Sequence, residues 1–183
     1  CTKNKHINFR YFSHFAILAI EISQSSDMVA LGKDGGERTL APTTKNHIRL
    51  QILNNAGGFN TQIGIILTSW DDGFASLRVE LKPHHVNPVK LVHGGLYTTM
   101  LDVALAMTGS FRPAPDPLIP GLTLSLTTQF LSAATLDDRC LVAEAWRTGG
   151  GKSVFFADGA VRAPCGRVIA TACGVFKPGR LMK

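Results

Sequence analysis

The chain has 183 residues, 45% of them hydrophobic and 17% charged, with a formal net charge of +6. That length and composition fit one globular domain with some additional sequence, and they exclude a wholly disordered chain. Seven Lys/Arg stand against four Asp/Glu in residues 1–50, and twelve against nine in residues 51–183, so each part is +3. There is no basic run, so nucleic acid is not an expected partner, while an anionic small molecule is compatible.

In chain order, "YFSHFAILAIEI" (Tyr11–Ile22) follows Lys3, Lys5 and Arg10, loosely the charge-then-apolar order of a leader. His14 and Glu21 interrupt it, and it is too short to span a bilayer, so no membrane partner is expected. It reads either as a processed or over-extended segment or as a docking helix. "GKDGGERTLAPTT" (Gly32–Thr44) is polar and turn-rich. Residues 1–46 are therefore expected to be an extension and linker, and residues 47–183 the domain. Ile48, Ile52 and Leu53 have helical spacing, and Gly57-Gly58 stops that helix.

Two strand-like runs follow, "TQIGIILTSW" and "ASLRVEL", joined by a hairpin turn at Asp71–Gly73. "KPHHVNPVKLV" is irregular because Pro83 and Pro88 block regular pairing. A long apolar helix ends at Gly109, and the proline-rich "FRPAPDPLIPG" is a loop. Four more strands follow, "LTLSLTTQFL", "CLVAEAWRT", "SVFFADGAVRA" and "VIATACGVF", with connections short enough for an antiparallel meander. Six strands and one dominant helix predict an α+β architecture, an antiparallel sheet wrapped around a central helix.

Cys1, Cys140, Cys165 and Cys173 show no CxxC spacing and read as reduced thiols of a cytoplasmic protein. No metal-ligand cluster is visible, since adjacent His84 and His85 would point to opposite faces of a strand. Neither a metal nor a redox cofactor is expected.

The central helix, "GLYTTMLDVALAMT", is apolar nearly all round. Leu96, Met100, Val103 and Met107 fall on one face, and Leu101, Ala104 and Leu105 fill most of the rest. A narrow stripe of Gly95, Thr98, Thr99, Asp102 and Ala106 remains. A carboxylate in such a helix is costly unless it is paired, hydrogen-bonded or solvated in a cleft. The stripe alone reads equally as a packing face or a solvated edge. Ahead of it, Gly94 and Gly95 allow close approach of the backbone to a ligand, and the first-turn N–H groups can stabilise an oxyanion. Asp102 lies roughly 10 Å along the axis from that terminus, which favours a site completed between two protomers.

The pattern of His85, Asn87, Pro88, Val92, His93, Gly94, Gly95 and Asp102, with strands matching over residues 47–178, resembles the signature of hotdog-fold acyl-CoA thioesterases of the phenylacetic-acid-degradation (PaaI-like) type. The resemblance implies a hotdog fold, a homodimer or homotetramer with sites at the dimer interface, and acyl-CoA or aroyl-CoA as substrate. It implies that Asp102 activates water or attacks the thioester, that the Gly94 N–H holds the oxyanion, and that Asn87 and Thr123 position carbonyl or water. His93, Gly95 and Lys152 are the corresponding substrate-binding candidates. His93 also reads as a brace for the turn, and Lys152 as a solvated hairpin residue. A non-catalytic acyl-CoA-binding module is the alternative reading, and a hotdog dehydratase lacks its usual local pattern here.

Overall fold

A computed structural model describes residues 44–112 and 121–179. Residues 1–43, which hold most of the expected extension, and most of the proline-rich loop lie outside the described residues.

The first described helix, α1 (Thr44–Asn54), is followed by a short α2 (Gly58–Gln62). The sheet comprises β1 (Ile65–Asp71), β2 (Phe74–Glu80), β3 (Leu122–Phe130), β4 (Cys140–Gly150), β5 (Phe155–Arg162) and β6 (Val168–Lys177). Helix α3 (Gly94–Thr108) stands between β2 and β3 in sequence. All pairings are antiparallel, in the order β1-β2-β4-β5-β6-β3. The expected six strands and central helix are therefore present, as the hotdog fold requires.

Two expectations are corrected. The run "TQIGIILTSW" does not enter the sheet until Ile65, because residues 58–62 coil into α2 and Gly64 turns the chain at φ +72. The last four strands are also not a simple meander. β4, β5 and β6 are sequential neighbours, but β3 pairs with β6 at the far edge, and β4 joins β2. The "SAATLDD" segment thus crosses the end of the sheet rather than closing a hairpin.

The sheet's inner face is made of alternate, mostly small residues: Ala143 and Ala145 on β4, Ala157 and Gly159 on β5, Ala172 and Gly174 on β6. Helix α3 can therefore lie low on the sheet. Met100, Leu101, Ala104 and Leu105 are fully buried in one cluster with Leu77, Val79, Leu141, Phe155, Val161 and Phe176. Each large apolar side chain buried there contributes about 1.5–3 kcal/mol.

The C-terminal end of the helix is well satisfied. There, Trp70 Nε1 donates to Met107 O at 2.8 Å, the Gly73 N–H to Thr108 O at 3.2 Å, and Ser110 Oγ to Ala106 O at 2.8 Å. The Asp72-Gly73 turn, with Gly73 at φ +77, thus both closes the β1–β2 hairpin and occupies an otherwise orphaned carbonyl.

The two sheet edges differ. On β1, the Asn54 carboxamide donates to Leu67 O at 3.1 Å and accepts from Leu67 N at 2.8 Å, as a neighbouring strand would. At the other edge β3 carries Leu122, Leu124 and Phe130 exposed, with Leu131 just beyond it.

A Cβ on Gly159 would stand 2.7 Å from Leu105 Cδ1 and 2.8 Å from Glu144 O, one of them immovable backbone. Gly159→Ala is expected to destabilise the domain by about 1–3 kcal/mol, the usual cost of overpacking. Urea denaturation should show it as a lower midpoint at unchanged slope.

Candidate active site

The segment before α3 is held by side chains acting on its own backbone. Pro83–His85 forms a single 3-10 turn, in which His85 Nδ1 accepts from the Lys82 N–H at 3.0 Å. His84 and His85 are therefore not on a strand: their rings meet edge to face at 4.2 Å, His84 exposed and His85 buried. Asn87 Oδ1 then accepts from Val89 N and Leu91 N, each at 3.1 Å, while Lys90 takes φ +66 to close the turn. The His93 N–H returns to His85 O at 2.8 Å, and Val92 N to Ala134 O at 2.8 Å.

His93 caps α3. Its Nδ1 accepts from the Gly95 N–H at 2.9 Å, and its carbonyl accepts from Leu96 N at 2.9 Å. This is the bracing arrangement, and it occupies one ring nitrogen. Among the described residues, the Gly94 N–H is left without an acceptor in the first turn. The glycines have intramolecular reasons to be glycine. A Cβ on Gly94 would come within 3.2 Å of the Phe130 ring, and one on Gly95 within 2.9 Å of His93 Nδ1.

Asp102 lies half-buried at the middle of α3. Thr123, on β3, donates its hydroxyl to Asp102 Oδ1 at 2.6 Å, a short charge-assisted hydrogen bond. The two residues are 21 apart in sequence and meet because the β3 register sets Thr123 opposite Phe176, on the face covered by the helix. The carboxylate opens into a groove of about 470 Å³ lined by Phe59, Asn60, Gly95, Thr98, Thr99, Asp102, Val103 and Leu126. Solvation in that groove and the threonine hydrogen bond together offset the cost of the charge. Val103, expected on the apolar face with Met107, is half-buried and lines the groove instead, because the helix is open along that side.

The structure thus brings Asp102, Thr123 and Gly95 together, with Gly94 at the head of the same helix. Asn87 lies in the loop ahead of it, its side-chain oxygen already committed, so only its NH₂ remains to donate outward. Lys152 is exposed on the β4–β5 turn. Nearby Phe155 occupies the space beside Gly109, at the opposite end of α3 from Gly94. Sequence reasoning missed Phe59 and Asn60, because a five-residue helix is too short to show periodicity. It also missed Tyr97, whose buried hydroxyl accepts from Ala134 N at 3.1 Å.

Cys140, Cys165 and Cys173 are unpaired. Among the described residues no group of three or more His, Cys, Asp or Glu is placed to hold a metal, and no helix is long and apolar enough to cross a membrane.

Residues 89–170, which include the Asn87–Asp102 motif from Val89 onward, match the thioesterase superfamily. Among solved structures, the chain is similar to zebrafish thioesterase superfamily member 2, with 19% identity and a TM-score of 0.62 over 75% of this chain and 100% of that one. It is similar to the Escherichia coli PaaI protein of the phenylacetic acid degradation operon, with 20% identity and a TM-score of 0.61 over 73% and 91%. A third similar structure is a mutant of the phenylacetic acid degradation protein PaaI from Thermus thermophilus, with 18% identity and a TM-score of 0.57 over 66% and 97%. No curated protein matches in sequence. The fold is the hotdog fold, and the stretch carrying Gly94 and Asp102 matches the thioesterase superfamily. Among solved structures the chain resembles the PaaI proteins.

Burial holds the His85 pKa below its usual 6.5; the neighbouring His84 and, less strongly, Lys82 act the same way, opposed by a contact from the Ile63 backbone. The unfolded chain therefore takes up a proton near pH 6.5 that the folded chain refuses. Stability is full above 6.5 and falls as pH drops through the window down to the folded value. Denaturation between pH 5 and 8 should show this loss, with a shallower slope in His85→Asn, whose amide oxygen can still accept from Lys82 N.

Proposed function

We propose that the protein hydrolyses acyl-CoA thioesters to a free acid and coenzyme A, with Asp102 as general base or nucleophile. The observation that carries this reading is the Asp102–Thr123 pair, a carboxylate oriented by a 2.6 Å hydrogen bond inside a groove on a thioesterase-superfamily helix. Among similar structures, the Streptococcus mutans protein smu.793 was solved bound to acetyl-CoA, which supports the choice of thioester.

In the general-base route, Asp102 accepts a proton from water as its oxygen attacks the thioester carbonyl. The negative charge that develops on the carbonyl oxygen is held by the Gly94 N–H. Collapse breaks the C–S bond, and the thiolate leaves and takes a proton to give coenzyme A. In the nucleophilic route, Asp102 forms an anhydride that water then opens, with the same products. Thr123 orients the carboxylate, the Asn87 NH₂ is the donor for carbonyl or water, and His93 and Gly95 shape the head of the helix. Lys152 is the candidate contact for the coenzyme A phosphates.

The site is completed between two protomers. Gly94 and Asp102 are eight residues apart, about 12 Å along one helix at 1.5 Å per residue, too far for one reacting carbonyl to meet both. The edge carrying Leu122 and Leu124 is open, whereas the β1 edge is occupied by Asn54, which favours side-by-side pairing through β3 into a homodimer or a homotetramer. Light scattering should return at least twice the 19.7 kDa chain mass, and Leu122→Lys with Leu124→Lys should return the monomer.

Asp102→Asn is expected to lower kcat by about 10²-fold or more at unchanged fold, the scale of a positioned base. Thr123→Val should cost about tenfold, the worth of one charge-assisted hydrogen bond. Free-thiol release from a panel of short, medium, long and aromatic acyl-CoAs measures both. Binding of acyl-CoA by the wild type without any turnover would overturn the hydrolase reading in favour of a binding module.

A further inference from the structure

One wall of the Asp102 groove plays no part in the chemistry just described. Helix α2 buries none of its five residues, yet Phe59 and Asn60 line the groove beside Asp102, and Phe59 leaves 63% of its surface exposed. The chain enters α2 through Gly57 at φ +76 and Gly58 at φ +78 and leaves it through Gly64 at φ +72, a left-handed backbone that L side chains rarely adopt. Three such residues, two at the entry and one at the exit, place an aromatic ring at the groove without gaining any core burial for the segment that carries it.

The chemistry of the groove is one-sided. Phe59, Val103 and Leu126 are apolar. The Thr98 and Thr99 hydroxyls donate back to Gly94 O at 3.3 Å and Gly95 O at 2.8 Å, so their hydrogens are not available to a ligand. Among the described residues no Lys, Arg or His lines it, and Asp102 supplies a negative charge. An uncharged hydrocarbon chain suits such walls. A chain ending in a carboxylate would bring a second negative charge into the groove that already holds Asp102, with no cation among the described lining residues to offset it.

We propose that Phe59 is the specificity-determining residue of this site, packing against the hydrocarbon part of an uncharged apolar acyl group of several carbons. The site thereby selects such thioesters over acetyl and over chains with a terminal carboxylate. This rests on the thioesterase reading above. Burying the exposed ring against the acyl chain converts apolar area into transition-state binding, and the groove volume is that of a small-molecule pocket.

The test is kcat/KM for acetyl-, octanoyl- and ω-carboxyoctanoyl-CoA with the wild type, Phe59→Ala and Phe59→Leu. The wild type should favour octanoyl over both others. Phe59→Ala should lose about tenfold on octanoyl and less than about twofold on acetyl, the signature of a lost apolar contact distant from the reacting bond, and Phe59→Leu should restore most of it. The melting temperature of all three should agree, since the ring is not in the core. Equal loss on every substrate, no loss on octanoyl, or equal use of the ω-carboxylated chain would overturn the role of Phe59 and leave the hydrolase reading standing. Failure of the wild type to cleave any of the three overturns the hydrolase reading and this proposal with it.

Discussion

Helix α3 presses against the sheet where the sheet has almost no side chains, and the geometry of the site follows from that contact. Alanines 143, 145, 157 and 172, together with Gly159 and Gly174, leave room for Leu105 to approach the strands closely. Larger residues there would lift the helix by the depth of a side chain. Asp102 would then move away from Thr123, and a 2.6 Å hydrogen bond does not survive even an ångström of displacement. A tightly packed apolar interface and a polar contact between the same helix and sheet are thus parts of one constraint, because close-packed interiors do not deform smoothly.

The two ends of α3 are treated unequally. At the C-terminal end, carbonyls of the last turn receive donors from Trp70, Gly73 and Ser110. At the N-terminal end, His93 takes the Gly95 N–H and Leu96 N returns to the His93 carbonyl, leaving the Gly94 N–H without an internal acceptor. Helix termini that are not buried normally give such groups to water. Here the open group stands at the positive end of a fifteen-residue helix, where negative charge is favoured. The loop that delivers it is braced by its own side chains: Asn87 and His85 accept from backbone N–H groups on either side of Val86, and Lys90 accepts an unfavourable φ to complete the turn.

The same economy is visible at the sheet margins. Asn54 supplies one donor and one acceptor to Leu67 and ends the sheet at β1 with a single side chain. Nothing comparable covers β3 among the described residues, and its exposed side chains are large and apolar. An edge left in that state is a pairing surface by default. Thr123 belongs to that strand, so the element that orients the carboxylate is also the one most exposed to a neighbour.

Much of this was legible in the sequence, and for local reasons. Alternating β-branched and aromatic runs separated by glycine and proline marked all six strands, with β3, β4, β5 and β6 starting within two residues of their expected first positions. The helix ended at Thr108 ahead of Gly109 as its apolar period required, and the histidine, glycines and carboxylate of the motif lay within one contiguous stretch. Other features needed the tertiary structure, because they join residues distant in sequence. Strand order depended on which edge of the sheet β3 could reach, not on the length of the loop that followed it. A five-residue helix held between glycines carries no period of its own, so only the tertiary structure shows that Phe59 lines one groove with Asp102. The sequence by itself determined which groups are chemically able to act, since that is a property of residue type and local spacing. Only the tertiary structure decided which of them meet, because Asp102 and Thr123 are brought together by helix packing and strand register, which no single segment encodes.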